Sequence, residues 1–250
     1  MINYSHIGLL SAMKEEVGDL INNLDNVVEN IFGDLVIYSG EWKNSNNLKI
    51  YLSVAFSGWG KVSAARATTR LISINYKNTP IQLLIFTGVA GAANKLRQWD
   101  IVFGTHLFQH DMDARPIFDK FVIPPLNQKE LVPDQNILNF LYSKISNNEL
   151  ILKHQKFGKL FKGIIVSGDK FINDKKTLEE INKDIPNILA VEMEGAAFAQ
   201  VALQEKIPWL VIRVISDNAM EGSEEDFALF LENYKKYSND LVSALIETFV

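Results

Sequence analysis

Short apolar runs recur along the chain, and several of them end in Gly, Ser or Asp. Such runs are typical of strands buried on both faces of a parallel or mixed sheet, with helices covering each face. The strands predicted in this way are HIGLLSA (6–12), LKIYLSVAFSG (48–58), IQLLIFTG (81–88), GIIVSGD (163–169), NILAVEME (187–194) and WLVIRVISD (209–217). DLVIYSGEW (34–42) is expected to pair with residues 48–56 as a hairpin, with KNSNN as its turn.

Helical spacing of apolar residues follows several of these strands. It predicts helices from Lys14 to about Leu24, over residues 61–74, over residues 195–206 and, as one long amphipathic helix, over residues 226–248. The glycine-spaced GVAGAA (88–93) is interpreted as a turn. The region 110–160 is less regular, and HDMDARPIFDKFVIPPLN (110–127), which contains Pro116 and the pair Pro124-Pro125, is expected to be a long loop. There is no repeat or linker, so the pattern predicts one α/β domain over residues 1–250.

Composition narrows the classes of function. Hydrophobic residues make up 47% and charged residues 22% of the 250 residues, which is ordinary for a globular protein. The formal charge of −5 is dispersed, which argues against nucleic acid as the main partner. The chain has no cysteine, and its four histidines form no HExxH-type pair. No segment resembles a signal peptide or a membrane span, so we expect a cytoplasmic protein without a membrane partner.

Polar residues and one glycine gather at the predicted strand ends, where an α/β sheet forms its ligand crevice. They are Glu15, Glu16, Thr87, Gly88, Ser167, Asp169, Glu192, Glu194, Ser216 and Asp217. Each has an ordinary structural explanation, since acids also suit helix N-termini, caps and turns. Met13, Met193 and Phe171 would equally suit a core. The conjunction of so many strand-end acids nevertheless favours a functional site.

Two carboxylates stand at the edge of a segment that looks buried. Glu192 and Glu194 bracket Met193, directly before a run of small and apolar residues within AVEMEGAAFAQVA (190–202). A carboxylate in that position is unfavourable unless a partner compensates for its lost hydration. We therefore expect a paired charge or a bound polar ligand at this point of the chain.

The chain resembles the 5′-methylthioadenosine/S-adenosylhomocysteine nucleosidases of the nucleoside phosphorylase superfamily. The matching stretches, in the family's order, are IGLLSAMKEEV (7–17), SGWGKVSAA (57–65), FTGVAGA (86–92), HDMD (110–113), VSGDKFI (166–172), AVEMEGAAFAQVA (190–202) and VIRVISDNA (211–219). The resemblance implies a single three-layer α/β domain with a twisted mixed central sheet flanked by helices, usually paired as a homodimer. It implies hydrolysis of the N-glycosidic bond of a thio-substituted adenosine, with release of adenine and without a metal or organic cofactor.

The resemblance also implies roles for individual residues. Asp217 looks like the general acid and Glu16 like the residue that holds and activates water. Glu194 would bind the ribose hydroxyls, and Glu192 would support Glu194 or position water. The other expected substrate-binding residues are Met193 on the sugar, Phe171 stacked on adenine, Ile172 reading the adenine edge, Ser216 orienting Asp217, Ala90 and Gly91 beside sugar and base, Phe227 at the 5′ substituent, Met13 and Trp59.

The reaction explains these residue types. Adenine leaves readily only when N7 is protonated, so an acid must face that nitrogen and keep its proton near neutral pH. Bond breaking leaves an oxocarbenium-like sugar, which a nearby carboxylate such as Glu16 stabilises. A second carboxylate, Glu194, can accept hydrogen bonds from both hydroxyls of a vicinal diol.

Three other functions stay open at this stage. A futalosine-type or aminofutalosine-type nucleosidase would share the catalytic residues and differ at the 5′ pocket. A phosphorylase is disfavoured, because Phe86 stands where such enzymes carry an arginine for phosphate. A purine-nucleoside-binding protein without activity would share the fold, but it has no evident need of Asp217.

Two residues depart from the family pattern. Trp59 stands where relatives commonly have an aliphatic residue, and we expect it to reshape the sugar or 5′ pocket. Arg115, in DARPIF (113–118), is either a surface residue or a cation near the 5′ end that favours a carboxylate-bearing substituent. In dimers of the family the HDMD loop contributes to the partner's 5′ pocket.

Overall fold

The computed structural model describes residues 3–44, 48–148, 151, 156–219 and 223–250. Its strands are β1 (His6–Ser11), β2 (Asp25–Phe32), β3 (Leu35–Lys43), β4 (Lys49–Phe56), β5 (Asn75–Tyr76), β6 (Thr79–Pro80), β7 (Leu83–Ala92), β8 (Ile101–Gln109), β9 (Leu160–Ser167), β10 (Ile188–Glu192) and β11 (Trp209–Asp217). The helices are α1 (Lys61–Ile72), α2 (Gln135–Ser146), α3 (Lys175–Asp184), α4 (Gly195–Gln204), α5 (Ser223–Tyr234) and α6 (Ser238–Glu247).

Nine strands form one mixed sheet in the order β10-β9-β8-β11-β7-β1-β4-β3-β2. Strands β4, β1, β7 and β11 run parallel to one another, and β8 is antiparallel to β11. Strand β10 also pairs antiparallel with the end of β7, where Val191 lies opposite Gly91. This extra pairing brings the end of β10 to the same edge of the sheet as the ends of β7 and β11.

Apolar side chains cover both faces of this sheet. On β7, Leu83 and Ile85 point into a core shared with α2, α5 and α6, whereas Leu84 and Phe86 point into a core shared with α1 and α4. Burial on both faces explains why these strands read as continuous apolar runs. The predicted α/β fold, with a mixed central sheet flanked by helices, is confirmed.

The predicted helix from Lys14 to Leu24 is wrong. The structure has two short 3₁₀ turns there, Lys14–Glu16 and Leu20–Asn23. Gly18, between them, has a left-handed φ of 58°, which ends a right-handed helix. The Glu16 side chain also turns back to accept the Ala12 and Met13 amides, which fixes the first turn over the sheet edge.

Two further predictions about elements are wrong. The helix predicted over 226–248 is two helices, α5 and α6, because the chain turns between Tyr234 and Ser238. The Ser238 hydroxyl, at the start of α6, donates to the Glu15 carbonyl at 3.0 Å. GVAGAA is not a turn, since β7 runs on to Ala92 where β10 and β11 pair with it. The expected loop over residues 110–127 is confirmed, since no helix and no named strand lies there. Beyond it, α2 was not predicted, and its N-terminus is capped by Asp134.

The remaining predicted segments are largely as expected. Strands β3 and β4 form the predicted antiparallel hairpin, and residues 45–47 of its turn lie outside the described residues. Strands β2 and β8 were not predicted, since β2 is a solvent-exposed edge strand and β8 is interrupted by polar residues. In the part of the chain that the structure describes, we find no helix of the length and apolarity that a membrane crossing requires.

Candidate active site

A cleft of about 560 Å³, including its open mouth, lies where β1, β7, β10 and β11 end. Its walls are formed by Ala12, Met13, Glu16, Trp59, Val89, Gly91, Lys170, Phe171, Ile172, Val191, Glu192, Met193, Glu194, Ser216, Asp217 and Phe227. All the site residues predicted from the sequence are among them except Ala90 and Arg115. The structure thus brings residues from seven separate segments into one place, at the expected edge of the sheet.

The two exceptions lie at different distances from the cleft. Ala90 is buried beneath it, and its carbonyl is 3.2 Å from the Ser216 hydroxyl. Arg115 lies on an exposed loop and forms a two-pronged ion pair with Asp113, with Nε 2.9 Å from Oδ1. In this single chain Arg115 is not part of the cleft wall, and its predicted role at the 5′ end stays a prediction.

Sequence reasoning missed several wall residues and one buried charge. Four of the missed wall residues directly flank predicted residues within the same motifs: Ala12, Val89, Lys170 and Val191. Their position beside predicted site residues was the signal that could have identified them. Arg213, which is 1% exposed, was left without a role. A charged residue in the middle of the apolar run WLVIRVISD was the signal for it, because a buried charge requires a partner.

Glu16 is held by four hydrogen bonds in a buried position. Its Oε2 accepts from the Ser11 hydroxyl at 2.6 Å and from the Ala12 and Met13 amides at 2.9 Å each. Its Oε1 accepts from the Val89 amide at 2.9 Å and retains a free acceptor position. Burial raises the pKa of Glu16, while these donors and the charge of Arg213 oppose the rise. Glu16 is therefore a carboxyl group in a fixed orientation that can still accept a hydrogen bond or a proton at Oε1.

Replacing Gly88 by Ala should displace Glu16. A Cβ on Gly88 would lie 2.6 Å from Glu16 Oε1, and the four hydrogen bonds leave that carboxylate no free direction to move. Displacement of a reacting group by about 1 Å costs roughly 10²-fold in rate, so we expect kcat to fall by about that factor. The matched control is Gly8→Ala, whose Cβ would press on the flexible end of Leu84. Equal activity of the two variants in a steady-state assay would contradict this prediction.

Asp217 ends β11 at a β-bulge, which aims its side chain into the cleft. Its Oδ2 accepts from the Ser216 hydroxyl at 2.7 Å, and its Oδ1 accepts from the Ala219 amide at 2.8 Å. Burial raises the pKa of Asp217, the two hydrogen bonds lower it, and the charge of Asp226 raises it. The net direction is upward, as a proton donor at the cleft wall requires.

Glu192 is the fully paired member of the two adjacent carboxylates. Its Oε2 lies 2.6 Å from Arg213 Nη2 and also accepts the Gly195 amide at 2.8 Å. Its Oε1 accepts from the Ser167 hydroxyl. The guanidinium of Arg213 in turn lies over the Phe86 ring, 4.2 Å from its centroid. This network compensates the buried charge of Glu192, for which the sequence analysis predicted a partner.

Glu194 is buried but has only one hydrogen-bond donor to its carboxylate among the described residues, the Gly60 amide at 2.7 Å. Burial and the neighbouring charge of Glu192 raise the pKa of Glu194 to about 8, against the Gly60 amide and Arg213. A carboxyl with so few protein partners retains acceptor positions for a bound ligand.

An aromatic wall faces these carboxyl groups. Phe171 packs edge-to-face on Phe227 with 5.9 Å between ring centroids, and Phe227 packs edge-to-face on Trp59 at 6.1 Å. Trp59 is 53% exposed and stands at the mouth of the cleft. The site therefore has an apolar, π-rich side for a flat ring and an acidic side for hydroxyl groups and protons. Among the described residues there is no group of three or more His, Asp or Glu side chains that could hold a metal ion.

Comparisons with known proteins agree with this geometry. Residues 6–248 match the family model of the phosphorylase superfamily. The 5′-methylthioadenosine/S-adenosylhomocysteine nucleosidase of Bacillus subtilis is 32% identical over 242 residues, which cover 96% of this chain and 98% of that protein.

Solved structures give the same result. The nucleosidase of the same name from Neisseria meningitidis, in complex with methylthio-immucillin-A, has a TM-score of 0.84 and 29% identity, over 98% of this chain and all of that one. Futalosine hydrolase of Helicobacter pylori has a TM-score of 0.81 and 30% identity, over 97% of each chain. The family that the sequence motifs indicated is confirmed: this chain belongs to the phosphorylase superfamily and, within it, to the 5′-methylthioadenosine/S-adenosylhomocysteine nucleosidases.

Proposed function

We propose that the protein hydrolyses the N-glycosidic bond of 5′-methylthioadenosine, S-adenosylhomocysteine or both, and releases adenine and the 5-thio-substituted ribose. One observation carries the proposal. Three buried carboxyl groups with raised pKa values, those of Glu16, Glu194 and Asp217, share a cleft with the Phe171 ring. An acid, a base and a diol ligand opposite an aromatic platform are the parts that purine nucleoside hydrolysis needs.

Each carboxyl group has one task in this reaction. Adenine lies against Phe171, and the Asp217 carboxyl donates its proton to N7 as the glycosidic bond lengthens. Ser216 keeps the Asp217 carboxyl oriented through its 2.7 Å hydrogen bond. Glu194 accepts hydrogen bonds from the ribose hydroxyls, beside Met193. The charge that develops on the sugar is stabilised by Glu16 and Glu194.

Glu16 supplies the nucleophile. Its remaining acceptor position on Oε1 binds a water, which loses a proton to the carboxylate as it attacks the sugar carbon. Glu192 holds Glu194 in position, because Glu192 Oε2 accepts the Glu194 amide at 3.2 Å. The charge of Glu192 is itself neutralised by Arg213. The residue that binds the water, Glu16, and the residue that donates the proton, Asp217, are thus each fixed by two or more hydrogen bonds.

Water suits this site better than phosphate. Among the described cleft-wall residues, Lys170 is the one basic side chain, and its ammonium already contacts Thr177 and Asp174. Arg213 is buried and paired with Glu192. A phosphate dianion needs several free donors or positive charges, and here it would meet four carboxyl groups instead.

Three finer features belong to the proposal. We place the enzyme in the cytoplasm, with a role in methionine salvage, as a homodimer. Large apolar side chains exposed on residues 57–62 and 113–118 support pairing: Trp59 is 53%, Val62 81% and Ile117 83% exposed. The similarity to a futalosine hydrolase supports the second candidate, a futalosine-type nucleosidase with the same catalytic residues and another 5′ pocket.

The direct test is adenine release from methylthioadenosine in phosphate-free buffer, with the sugar product identified. We expect adenine and free methylthioribose, at a rate that added phosphate leaves unchanged. A requirement for phosphate, with formation of a ribose 1-phosphate, would refute the hydrolase and the role of Glu16. Futalosine and adenosylhomocysteine are assayed in parallel, and a strong preference for futalosine would favour the second candidate.

A further inference from the structure

Three polar residues outside the cleft wall form a closed hydrogen-bonded ring, which we call the Asp111 ring. Asp111 Oδ1 accepts from the Lys61 ammonium at 2.6 Å, and Asp111 Oδ2 accepts from the Asp169 amide at 3.0 Å. Asp169 Oδ1 in turn accepts from the Lys61 amide at 2.8 Å. The Asp111 ring consists of Lys61, Asp111 and Asp169, and it joins three segments that are far apart in sequence.

The ring lies directly behind the Gly60 amide, the one donor to the Glu194 carboxylate among the residues that the structure describes. Gly60, adjacent to Lys61, donates its amide to Glu194 Oε1 at 2.7 Å. The orientation of that amide depends on an unusual backbone, since Gly58 and Gly60 have left-handed φ values of 73° and 92°. This segment is held by its contacts: the Gly58 amide donates to the Ala12 carbonyl at 3.1 Å, and the Gly60 carbonyl accepts the Ala64 amide at 3.0 Å. The side-chain contact adjacent to Gly60 is the bond from the Lys61 amide to Asp169.

Asp169 reaches this loop at close range. A Cβ on Gly60 would lie 3.0 Å from Asp169 Oδ1, so the two segments touch at a glycine. Asp169 also takes up one of the free amides at the start of α1, as a capping residue from another segment. The position of Asp169 is itself fixed, because its own amide is bonded to Asp111.

Asp111 is the member that closes the ring. It uses both carboxylate oxygens, one on a cation and one on an amide, and Lys61 is further held by Gln109 at 3.3 Å. Burial acts to raise the pKa of Asp111, but the Lys61 ammonium and the Asp169 amide outweigh it and lower the pKa. Asp111 is therefore ionised at neutral pH and binds both partners as a charged acceptor.

We propose that Asp111 is a positioning residue of the active site, which acts through Lys61 and Asp169 to hold the Gly60 amide on the Glu194 carboxylate. The inference rests on the proposed role of Glu194 as the ligand of the ribose hydroxyls. Asp111 does not line the cleft, so its effect on the reaction is through the geometry and ionisation of Glu194. The defect caused by its loss must then depend on those hydroxyls.

The test compares Asp111→Ala with wild type on methylthioadenosine and on its 2′,3′-dideoxy analogue. We expect kcat/KM for methylthioadenosine to fall by about 10- to 100-fold, as for a reacting group displaced by a fraction of an ångström. The value for the dideoxy analogue and the inhibition constant of adenine should stay within about twofold, the scatter of independent sites. In a Glu194→Ala background, Asp111→Ala should have no further effect. Equal loss on both nucleosides would overturn the proposal.

The pH profile gives a readout that a general structural defect would not move. Burial, the charge of Glu192 and the charge of Glu16 raise the pKa of Glu194. The hydrogen bond from the Gly60 amide and the charge of Arg213 lower it. Without that amide the pKa of Glu194 rises, so the acid limb of kcat/KM should move to higher pH in Asp111→Ala. An unchanged acid limb together with the ribose-dependent loss would overturn the assigned path through Gly60.

Two further variants keep the proposal testable if Asp111→Ala fails to fold. Lys61→Met breaks the ring and should reproduce the defect, whereas Asp169→Asn keeps an acceptor for the Lys61 amide and should retain most activity. The control is Asp34→Asn, which removes an exposed ion pair to Arg66 on the same helix α1. A Lys61→Met enzyme that behaves like Asp34→Asn would overturn the proposal.

Amide exchange separates this inference from the proposed function. In substrate-free protein, Lys61→Met and Asp111→Ala should speed exchange at the Gly60 and Lys61 amides and leave the rest of α1 unchanged. This measurement needs no activity, so it tests the ring even if wild type fails to release adenine. Unchanged exchange at both amides would overturn the proposal, whatever the result for the reaction.

Discussion

Replacing Asp217 by Asn is expected to lower kcat for adenine release by about 10²- to 10⁴-fold, the range attributed to a general acid. Asn has the same shape and can still meet Ser216 and the Ala219 amide, but it cannot give a proton to N7. The substitution therefore removes the chemistry and leaves the packing of a buried side chain in place. Steady-state release of adenine from methylthioadenosine measures the loss.

The pH dependence of the same reaction gives an independent check. A general acid must be protonated, so activity falls as pH rises through its pKa. Burial raises the pKa of Asp217, which extends the active form toward neutral pH. Wild type should show a basic limb in its kcat profile, and Asp217→Asn should lose it.

A change of leaving group identifies the step. In a 4-nitrophenyl glycoside of the same thioribose, the leaving group is 4-nitrophenolate, which departs without being protonated. Asp217→Asn should therefore impair hydrolysis of this glycoside far less than that of methylthioadenosine. A uniform loss on both substrates would mean that Asp217 orients the sugar and does not protonate the base. Ser216→Ala serves as the milder control, because it removes one hydrogen bond and leaves the acid.

The acids of the site could be predicted because each follows a strand. Glu16 and Asp217 stand at or soon after the ends of β1 and β11, which run parallel to β7, so that their ends meet at one edge of the sheet. Glu194 also follows an apolar run, and it reaches the same edge because β10 pairs antiparallel with the end of β7. The sheet and its helices could be predicted for the same reason, since burial on both faces leaves a strong apolar signal. The family motifs then supplied roles that spacing alone does not contain.

The failures have a common physical cause, because contacts between distant segments decided the local structure. The expected helix after Lys14 gives way to 3₁₀ turns where the Glu16 carboxylate binds the amides of its own turn and of Val89. The expected turn at GVAGAA is a strand because β10 and β11 pair with it. No local pattern of apolar and polar residues encodes such pairings.

The buried pair of Arg213 and Glu192 leads to the largest expected change in stability. Both side chains are almost inaccessible, and the guanidinium lies between the carboxylate and the Phe86 ring. Arg213→Met would leave Glu192 buried with only the Ser167 hydroxyl and two amides as partners. Loss of one member of a buried pair typically costs 3–5 kcal/mol, so we expect the free energy of unfolding to fall by about that amount.

Urea unfolding at pH 7 measures this change, with the midpoint and slope compared to wild type. The matched control is Arg66→Met, which removes an exposed pair with Asp34 and should cost about 0–1 kcal/mol. The double variant Arg213→Met, Glu192→Leu should recover part of the loss, because it removes the uncompensated charge as well. If the double variant is less stable than Arg213→Met alone, packing around Phe86 and not the unpaired carboxylate accounts for the loss. Equal stability of Arg213→Met and Arg66→Met would contradict the assignment of Arg213 as the compensating charge for Glu192.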